Sequence, residues 1–253
     1  MATAPPSQAI EKGIQRMKNQ TLLCSSILAA LLSSQTLAQR ENGVNSKLEL
    51  GIITTTGNTE DESIKVKGRI ELVRDAWDYA WSLDAFRSSR QNQLTAQRFY
   101  TIGSADYQLS EVSFVESRLA YEDDRFSGYD SQTDASINYG RSLLTNTDNM
   151  ILTYTAGVGV RRSESDAENF SEAIFRLAGD YKWDVSENAL FNQILSANAG
   201  DETSIYRWES SIETNILENL SLKFTFNVKH QTEVPVGREN TDTATSVTLV
   251  LNF

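Results

Sequence analysis

Twelve runs of alternating apolar and polar residues constrain the fold of this chain more than any other feature of its sequence. The alternation is most regular in the seventh run, Leu152 to Arg161 (LTYTAGVGVR). Successive side chains of a β-strand point to opposite faces, so each run predicts a strand with one apolar and one polar face. After residue 38, no stretch approaches the length of about 18 consecutive apolar residues that predicts a membrane-spanning helix. The sequence therefore predicts an all-β protein.

The connections between the runs alternate between long polar segments and short turns. The long segments cover residues 54–62, 87–96, 123–133, 162–171, 198–203 and 231–242, and the short turns lie at residues 74–75, 110–111, 145–148, 184–188 and 218–219. Outer-membrane barrels have an even number of strands, with long loops at one end and tight turns at the other. We therefore predict a single-domain, twelve-stranded antiparallel transmembrane β-barrel of the outer-membrane type, covering residues 39–253. Five aromatic residues near the turns fit its interfacial girdle: Trp77, Tyr107, Tyr181, Trp183 and Phe253.

The last run, Thr243 to Phe253, places Leu249, Leu251 and Phe253 on its apolar side. In a barrel this strand closes the sheet against the first, which here is the run Lys47 to Thr55. An alternating final strand that ends in Phe also resembles the signal that the assembly machinery of outer-membrane barrels reads. We therefore expect the barrel assembly machinery as a partner, with Phe253, Leu251 and Leu249 as the assembly signal.

Residues 1–38 have the features of a secretory signal. Lys12, Arg16 and Lys18 precede a short apolar run, and Ala38 stands at a position suited to signal peptidase. We predict that residues 1–38 are an N-terminal extension and a cleaved signal peptide, with Met17 as an alternative start. The one cysteine, Cys24, lies in this segment, so we expect neither disulfides nor thiolate metal sites in the exported chain.

Several classes of function are disfavoured by the residue types present. The formal net charge of −11 argues against nucleic acid as a partner, because phosphate binding requires clustered Lys and Arg. The one histidine, His230, continues the apolar face of the eleventh run, and no serine follows it closely. The acidic loops lack the Asp-x-Asp-x-Asp-Gly spacing of a calcium site. We therefore predict no catalytic residue, no metal site and no cofactor.

The polar faces of the runs carry many charges, which a dry interior could not solvate. Their mixed signs predict a salt-bridged lumen that narrows or closes the pore, and a barrel of this size is only slightly wider than those that side chains fill. The lumen-facing candidates are Lys65, Lys67, Arg69, Glu116, Arg118, Glu122, Glu172, Arg176, Asp180, Lys182, Arg207, Glu209, Glu213, Lys223 and Lys229.

Short motifs distributed along the barrel region resemble a known bacterial family. Leu48 to Asp61 (LELGIITTTGNTED) resembles the opening of a domain-of-unknown-function family named as salt-induced outer membrane proteins, and Tyr121 to Asp124 and Gly157 to Gly159 fit its strand pattern. The resemblance implies a barrel in the outer membrane of Gram-negative bacteria, without an assigned substrate or catalytic residues. Gly57 and Asn58 are expected to supply the positive-φ positions of a turn in this opening.

The predicted function is that of a structural barrel or a narrow channel for small solutes and ions, linked through the resemblance to salt or envelope stress. Its expected partners are outer-membrane lipid and lipopolysaccharide, in addition to the assembly machinery. Two alternatives stay open. One is an outer-membrane enzyme acting on envelope lipid, and the other is a soluble periplasmic β-barrel or β-sandwich that binds a ligand.

The assembly signal leads to a first prediction. Deletion of Phe253 should impair insertion into the outer membrane far more than substitution of any single loop acid, because it removes the aromatic end of the closing strand. Cell fractionation with heat-modifiable mobility on gels measures the inserted fraction. Normal assembly of the deletion variant would count against the assembly signal and the closing role of this strand.

Overall fold

The computed structural model describes residues 42–56, 61–90, 93–124, 129–165 and 169–253. The predicted signal peptide and the turn expected at Gly57 and Asn58 lie outside these residues. None of the described segments contains a helix that is long and apolar enough to cross a membrane. The strands are β1 (Gly43–Thr56), β2 (Asp61–Arg74), β3 (Trp77–Arg90), β4 (Gln93–Ser110), β5 (Ser113–Asp124), β6 (Tyr129–Leu143), β7 (Met150–Glu164), β8 (Phe170–Ser186), β9 (Ala189–Gly200), β10 (Ile205–Leu217), β11 (Leu220–Gln231) and β12 (Thr241–Asn252).

The strands form one antiparallel sheet that closes on itself. Each strand pairs with its neighbours in the sequence, and β12 pairs with β1 to complete the ring. The prediction of a twelve-stranded antiparallel β-barrel is therefore confirmed. The sandwich alternative is excluded, because a sandwich requires two separate sheets packed face to face.

The seam between β1 and β12 is held by ten residue pairs in continuous register. At the turn end of this seam, Ser46 and Phe253 form two further backbone hydrogen bonds with each other, with N···O distances of 2.9 and 3.1 Å. A Cβ atom added at Gly51 would overlap the carbonyl oxygen of Val247. Glycine is therefore required at this position of the seam.

Most connections at the loop end are shorter than their composition indicates. β3 runs to Arg90 and β4 begins at Gln93, although residues 87–96 are polar enough to predict a loop. The prediction of a long loop is wrong here because the backbones of the two strands stay paired through this polar segment. The connection of residues 232–240 remains the longest at this end.

The barrel is polar inside and apolar outside. Among the described residues, six apolar side chains are buried, against twenty-three that are polar or charged. Large apolar side chains cover the outer face instead, where Ile52, Ile137 and Val158 are 66%, 63% and 66% exposed. Soluble proteins rarely expose a contiguous apolar surface of this extent, whereas a barrel embedded in lipid requires one.

Aromatic side chains pair on the outer face toward both ends of the barrel. Near the turns, the rings of Trp77 and Tyr107 lie 5.0 Å apart. Toward the loops, the rings of Phe99 and Tyr121 lie 6.4 Å apart. Rings at two levels are what two membrane interfaces would favour, because an aromatic side chain combines an apolar body with a polar edge.

Gln193 interrupts the apolar face of β9 without disrupting the strand. Its Nε2 donates to the carbonyl oxygen of Glu209 (3.0 Å), and its Oε1 accepts from the hydroxyl of Ser210 (2.6 Å). That hydroxyl in turn accepts from Nε1 of Trp208 (2.7 Å). These bonds satisfy the polar groups among apolar neighbours, where unsatisfied groups would be costly.

The outer face provides a test of membrane insertion. Val158 lies near the middle of β7 and points outward, so Val158→Arg should destabilise a lipid-embedded barrel by about 2–4 kcal/mol. Val158→Leu should change the stability by about 0.5 kcal/mol or less. Equilibrium unfolding in lipid vesicles measures both variants, and equal stabilities would contradict contact between this face and lipid.

Candidate functional site

The structure places all fifteen of the predicted lumen residues on the inner face of the barrel. Three of them contact other interior side chains: Glu116 accepts from Asn138 (2.8 Å), and Glu122 and Glu172 each lie beside an arginine. The other twelve line a central cavity: Lys65, Lys67, Arg69, Arg118, Arg176, Asp180, Lys182, Arg207, Glu209, Glu213, Lys223 and Lys229.

This cavity has a volume of about 470 Å³ and extends over the height of the barrel. Its lining reaches Thr56 and Asp242 at the loop end and Asn45 and Glu213 at the turn end. Ten strands contribute to it, whereas no described residue of β6 or β7 does. The open space therefore lies toward one side of the barrel, and its lining reaches both ends.

Glu122 on β5 links charges from both sides of the cavity. Its carboxylate lies 2.7 Å from Arg207, 3.0 Å from Lys229 and 3.6 Å from Arg98. The guanidinium groups of Arg207 and Arg98 also lie over the ring of Tyr100, at 5.2 and 5.7 Å from its centroid. With only 3% of Glu122 exposed, these cations compensate a carboxylate that would otherwise be costly to bury.

The pair of Glu122 and Lys229 also determines the cross-section of the barrel. β5 and β11 are six strands apart in a ring of twelve, so they lie on opposite walls. A round barrel of this strand number has a backbone diameter of roughly 24 Å. Two extended side chains and the gap between them bridge only about 14 Å. The barrel must therefore be oval at this level, with its short axis along the ion pair.

Further ion pairs lie along the cavity. Some join neighbouring strands and others cross the lumen, as between β2 and β10, which are four strands apart in the ring. Together they restrict the free cross-section, as the mixed charges of the sequence predict. The pairs are Lys223 with Glu49 (2.9 Å), Lys65 with Asp84 (3.3 Å), Lys67 with Glu209 (3.5 Å) and Lys47 with Glu213 (3.8 Å).

A second polar network fills the loop end beside β6 to β9. Arg161 is fully buried; its Nε donates to Asp134 (2.8 Å) and its Nη1 donates to the carbonyl oxygen of Thr203 (3.0 Å). Asn198 donates to Asp134 (2.8 Å), and Glu172 accepts from the backbone N–H of Thr203 (3.3 Å). These bonds hold the connection of residues 201–204 against the inner wall and close this side of the lumen.

The interior is most exposed to water at the turn end. Arg69 and Glu71 form a pair with 47% and 43% of their side chains exposed, and Lys182 and Asp180 form one with 50% and 36% exposed. Pairs in such positions contribute little to stability. The exposure of the interior charges thus falls from the turn end toward the buried charges around Glu122.

Cations outnumber anions in the cavity lining, although the whole chain carries a net charge of −11. The described lining contains eleven Lys and Arg side chains and eight Asp and Glu side chains, a difference of three positive charges. The remaining acids of the inner face, such as Glu116, Asp134 and Glu172, lie outside this lining. The open part of the lumen therefore has the opposite sign to the chain.

Several inner-face residues of these networks are not among the lumen-facing candidates predicted from the sequence. The alternation of the fourth and sixth runs would have predicted two of them, because Tyr100 and Asp134 stand at positions of the polar, inward face of their strands. Their partners could not be found in this way, since they lie on distant strands. The omitted residues are Glu49, Asp84, Arg98, Tyr100, Asp134 and Arg161.

His230 lies on the outer face, away from the cavity. Its Nδ1 is 2.8 Å from the hydroxyl of Thr241, and its ring lies 6.2 Å from that of Tyr206. Among the described residues, no three His, Cys, Asp or Glu side chains are placed to hold a metal ion.

Two sequence comparisons place this barrel among known proteins. The family model described as "Protein of unknown function, DUF481" matches residues 48–253. The uncharacterized protein YdiY of Escherichia coli (strain K12) is 24% identical over 216 residues, which cover 84% of each chain. The family match includes all but the first few residues of the described barrel.

Solved structures share the fold at very low sequence identity. The NanC porin superposes with a TM-score of 0.55 at 8% identity, covering 81% of this chain and 98% of the porin. The translocator domain of the autotransporter NalP from Neisseria meningitidis superposes with a TM-score of 0.53 at 8% identity, covering 96% of this chain and 98% of that domain. Similarities at this identity show a shared barrel fold.

Two ion pairs of equal length provide a test of the buried network. Arg161 and Asp134 are 2.8 Å apart in the interior, and Arg162 and Glu164 are 2.8 Å apart on the exposed outer rim. Asp134→Asn should destabilise the barrel by about 3 kcal/mol, because it weakens the compensation of a buried charge. Glu164→Gln should cost about 1 kcal/mol or less. Urea unfolding in detergent measures the free energy of unfolding of both variants. Equal losses would contradict the view that burial makes the interior ion pair more important for stability.

Proposed function

The chain belongs to the DUF481 family of proteins of unknown function, and from its structure we propose that it is an outer-membrane barrel acting as a narrow channel for small solutes or ions. The family match confirms the resemblance found in the sequence. The link to salt or envelope stress implied by that resemblance stays a prediction.

Location in the outer membrane is supported by the distribution of side chains. The inner face is polar and charged, while large apolar residues such as Ile137 and Val158 are exposed on the outer face. A closed ring of strands also leaves no unpaired sheet edge, which a lipid environment requires. Lipid and lipopolysaccharide around the barrel, and the assembly machinery that inserts it, are the partners we propose.

The channel function rests on one observation, the cavity whose lining reaches both ends of the barrel. A purely structural barrel of this size could fill its interior with side chains. Here the space beside β1 to β5 and β8 to β12 is open and charged. Such a lumen would favour water and hydrated polar solutes over apolar ones.

The ion pairs limit what such a channel would conduct. The contacts of Glu122 with Arg207 and Lys229 join opposite walls, and Lys67 and Glu209 form another connection across the lumen. Large solutes are therefore excluded, while ions and small solutes can pass beside these pairs.

A structural barrel without conduction is the main alternative, and conductance decides between the two. An enzyme acting on envelope lipid gains no support, because the imidazole of His230 lies outside the cavity. We therefore propose that the protein has no enzymatic activity.

Single-channel recording in planar bilayers tests the proposal. The wild-type protein should show small, discrete conductance steps. Glu122→Gln should raise the conductance and shift the selectivity toward anions, because it releases the three cations held by this carboxylate. Glu164→Gln, on the exposed outer rim, is the matched control and should behave as wild type.

One result would contradict the channel function, and another would contradict the proposed route. A barrel that is silent in all salts would leave only the structural role. An unchanged conductance and selectivity in Glu122→Gln would show that the ions do not pass the constriction at this residue.

A further inference from the structure

Two arginines in the cavity lining lack the ion pairs that every other cation of the described lining forms. Nine of the eleven Lys and Arg side chains lie within 4.0 Å of a carboxylate oxygen. Among the described residues, no carboxylate lies within this distance of Arg118 on β5 or Arg176 on β8. Their positive charges are therefore the ones that the interior leaves without a directly bound counter-charge.

Each of these arginines is held by a neutral partner. Nη2 of Arg118 donates to the hydroxyl of Tyr100 (2.9 Å), and Nη1 of Arg176 donates to Oδ1 of Asn198 (2.9 Å). Further donor atoms remain unused, because Nη1 of Arg118 and Nε of Arg176 are buried and have no hydrogen-bond partner. Arg118 is only 6% exposed, so water provides little compensation for these unused donors.

The surroundings increase the local positive charge. Arg118 and Arg207 both repel Arg176 electrostatically. Glu116 attracts it, but from beyond ion-pair distance, and this carboxylate already accepts a hydrogen bond from Asn138. Buried charges without a close counter-ion are unfavourable. An anion from solution that reached this position would relieve the repulsion and use the free donors.

We propose that Arg118 and Arg176, together with the hydroxyl of Tyr100, form a binding site for an oxyanion of a small solute, either a carboxylate or a phosphate. Guanidinium groups match the geometry of both anions through paired N–H donors. The phenol, which accepts from Arg118, can in turn donate its proton to the anion. Both arginines and Tyr100 belong to the lining of the open cavity, so small shifts of their side chains would bring the unused donors to a solute in the lumen.

This proposal rests on the channel function and deepens it, because it names the class of solute that the lumen would select. The excess of cationic over anionic side chains in the cavity lining also favours an anionic solute. A site for metal cations would require the opposite arrangement, with carboxylate oxygens facing the cavity unpaired.

Isothermal titration calorimetry of the full chain in detergent tests the site with two probes, sodium phosphate and sodium acetate. The wild-type barrel should bind at least one of them, and the stronger binder identifies the anion class. Arg118→Gln and Arg176→Gln should each weaken binding by about tenfold or more, as expected for loss of a charged hydrogen bond. Arg162→Gln, which removes an exposed arginine of the outer rim, should leave the affinity unchanged.

Two further variants separate a loss of charge from a loss of fold. Arg118→Lys and Arg176→Lys keep the charge and should retain more affinity than the glutamine variants, although less than wild type. Heat-modifiable mobility on gels shows whether each barrel is folded. Absence of binding to both probes in the wild type, or equal affinities in wild type and both glutamine variants, would overturn the site.

The same proteins in planar bilayers distinguish this proposal from the channel function. Anion binding by a barrel that does not conduct would support the site and refute the channel. Conduction without binding of either anion would support the channel and refute the site.

Discussion

The backbone pairing of β12 with β1 is the interaction on which the rest of the structure depends. It converts a sheet of twelve strands into a ring without edges, so every strand is paired on both sides. Among β-sheets, only such a ring can place its backbone in lipid, because hydrocarbon offers no partner for a free N–H or C=O group. The close approach at Gly51 and the two bonds between Ser46 and Phe253 secure this seam. Closure also encloses a lumen, in which charged side chains from different strands can form ion pairs.

Ion pairs and hydrogen bonds occupy the place that an apolar core has in a soluble protein. Glu122 and Arg161 are both buried. Glu122 connects β5 with the distant strands β10 and β11, whereas Arg161 joins β7 to its neighbours β6 and β8. Removing one partner of such a pair is strongly destabilising, because it leaves a buried charge without compensation. They also determine shape, because the contact between Glu122 and Lys229 requires an oval cross-section. The polar interior thus maintains both the stability and the width of the lumen.

The interior is divided into a filled side and an open side. Around Arg161, hydrogen bonds draw the connection of residues 201–204 inward and leave no described residue of β6 or β7 in the cavity lining. Along the other strands, ion pairs leave space between them and neutralise most of the cations. Arg118 and Arg176 lie where this neutralisation is incomplete. An interior built in this way would combine size exclusion with a preference for anions.

The sequence by itself determined the number of strands, their antiparallel order and the polar face on which the fifteen lumen-facing candidates lie, because side chains alternate along a strand with a period of two. For the same reason, Lys223 and Glu49 could each be assigned to an inner face from local pattern. Only the tertiary structure decided that these two form a pair, since they are separated by 174 residues and meet only after the ring has closed. The positions at which the strands end were also decided by the tertiary structure, because backbone pairing continues through polar segments such as residues 87–96. The uncompensated state of Arg118 and Arg176 is likewise a property of the closed barrel, because it depends on where every other charge finds its partner.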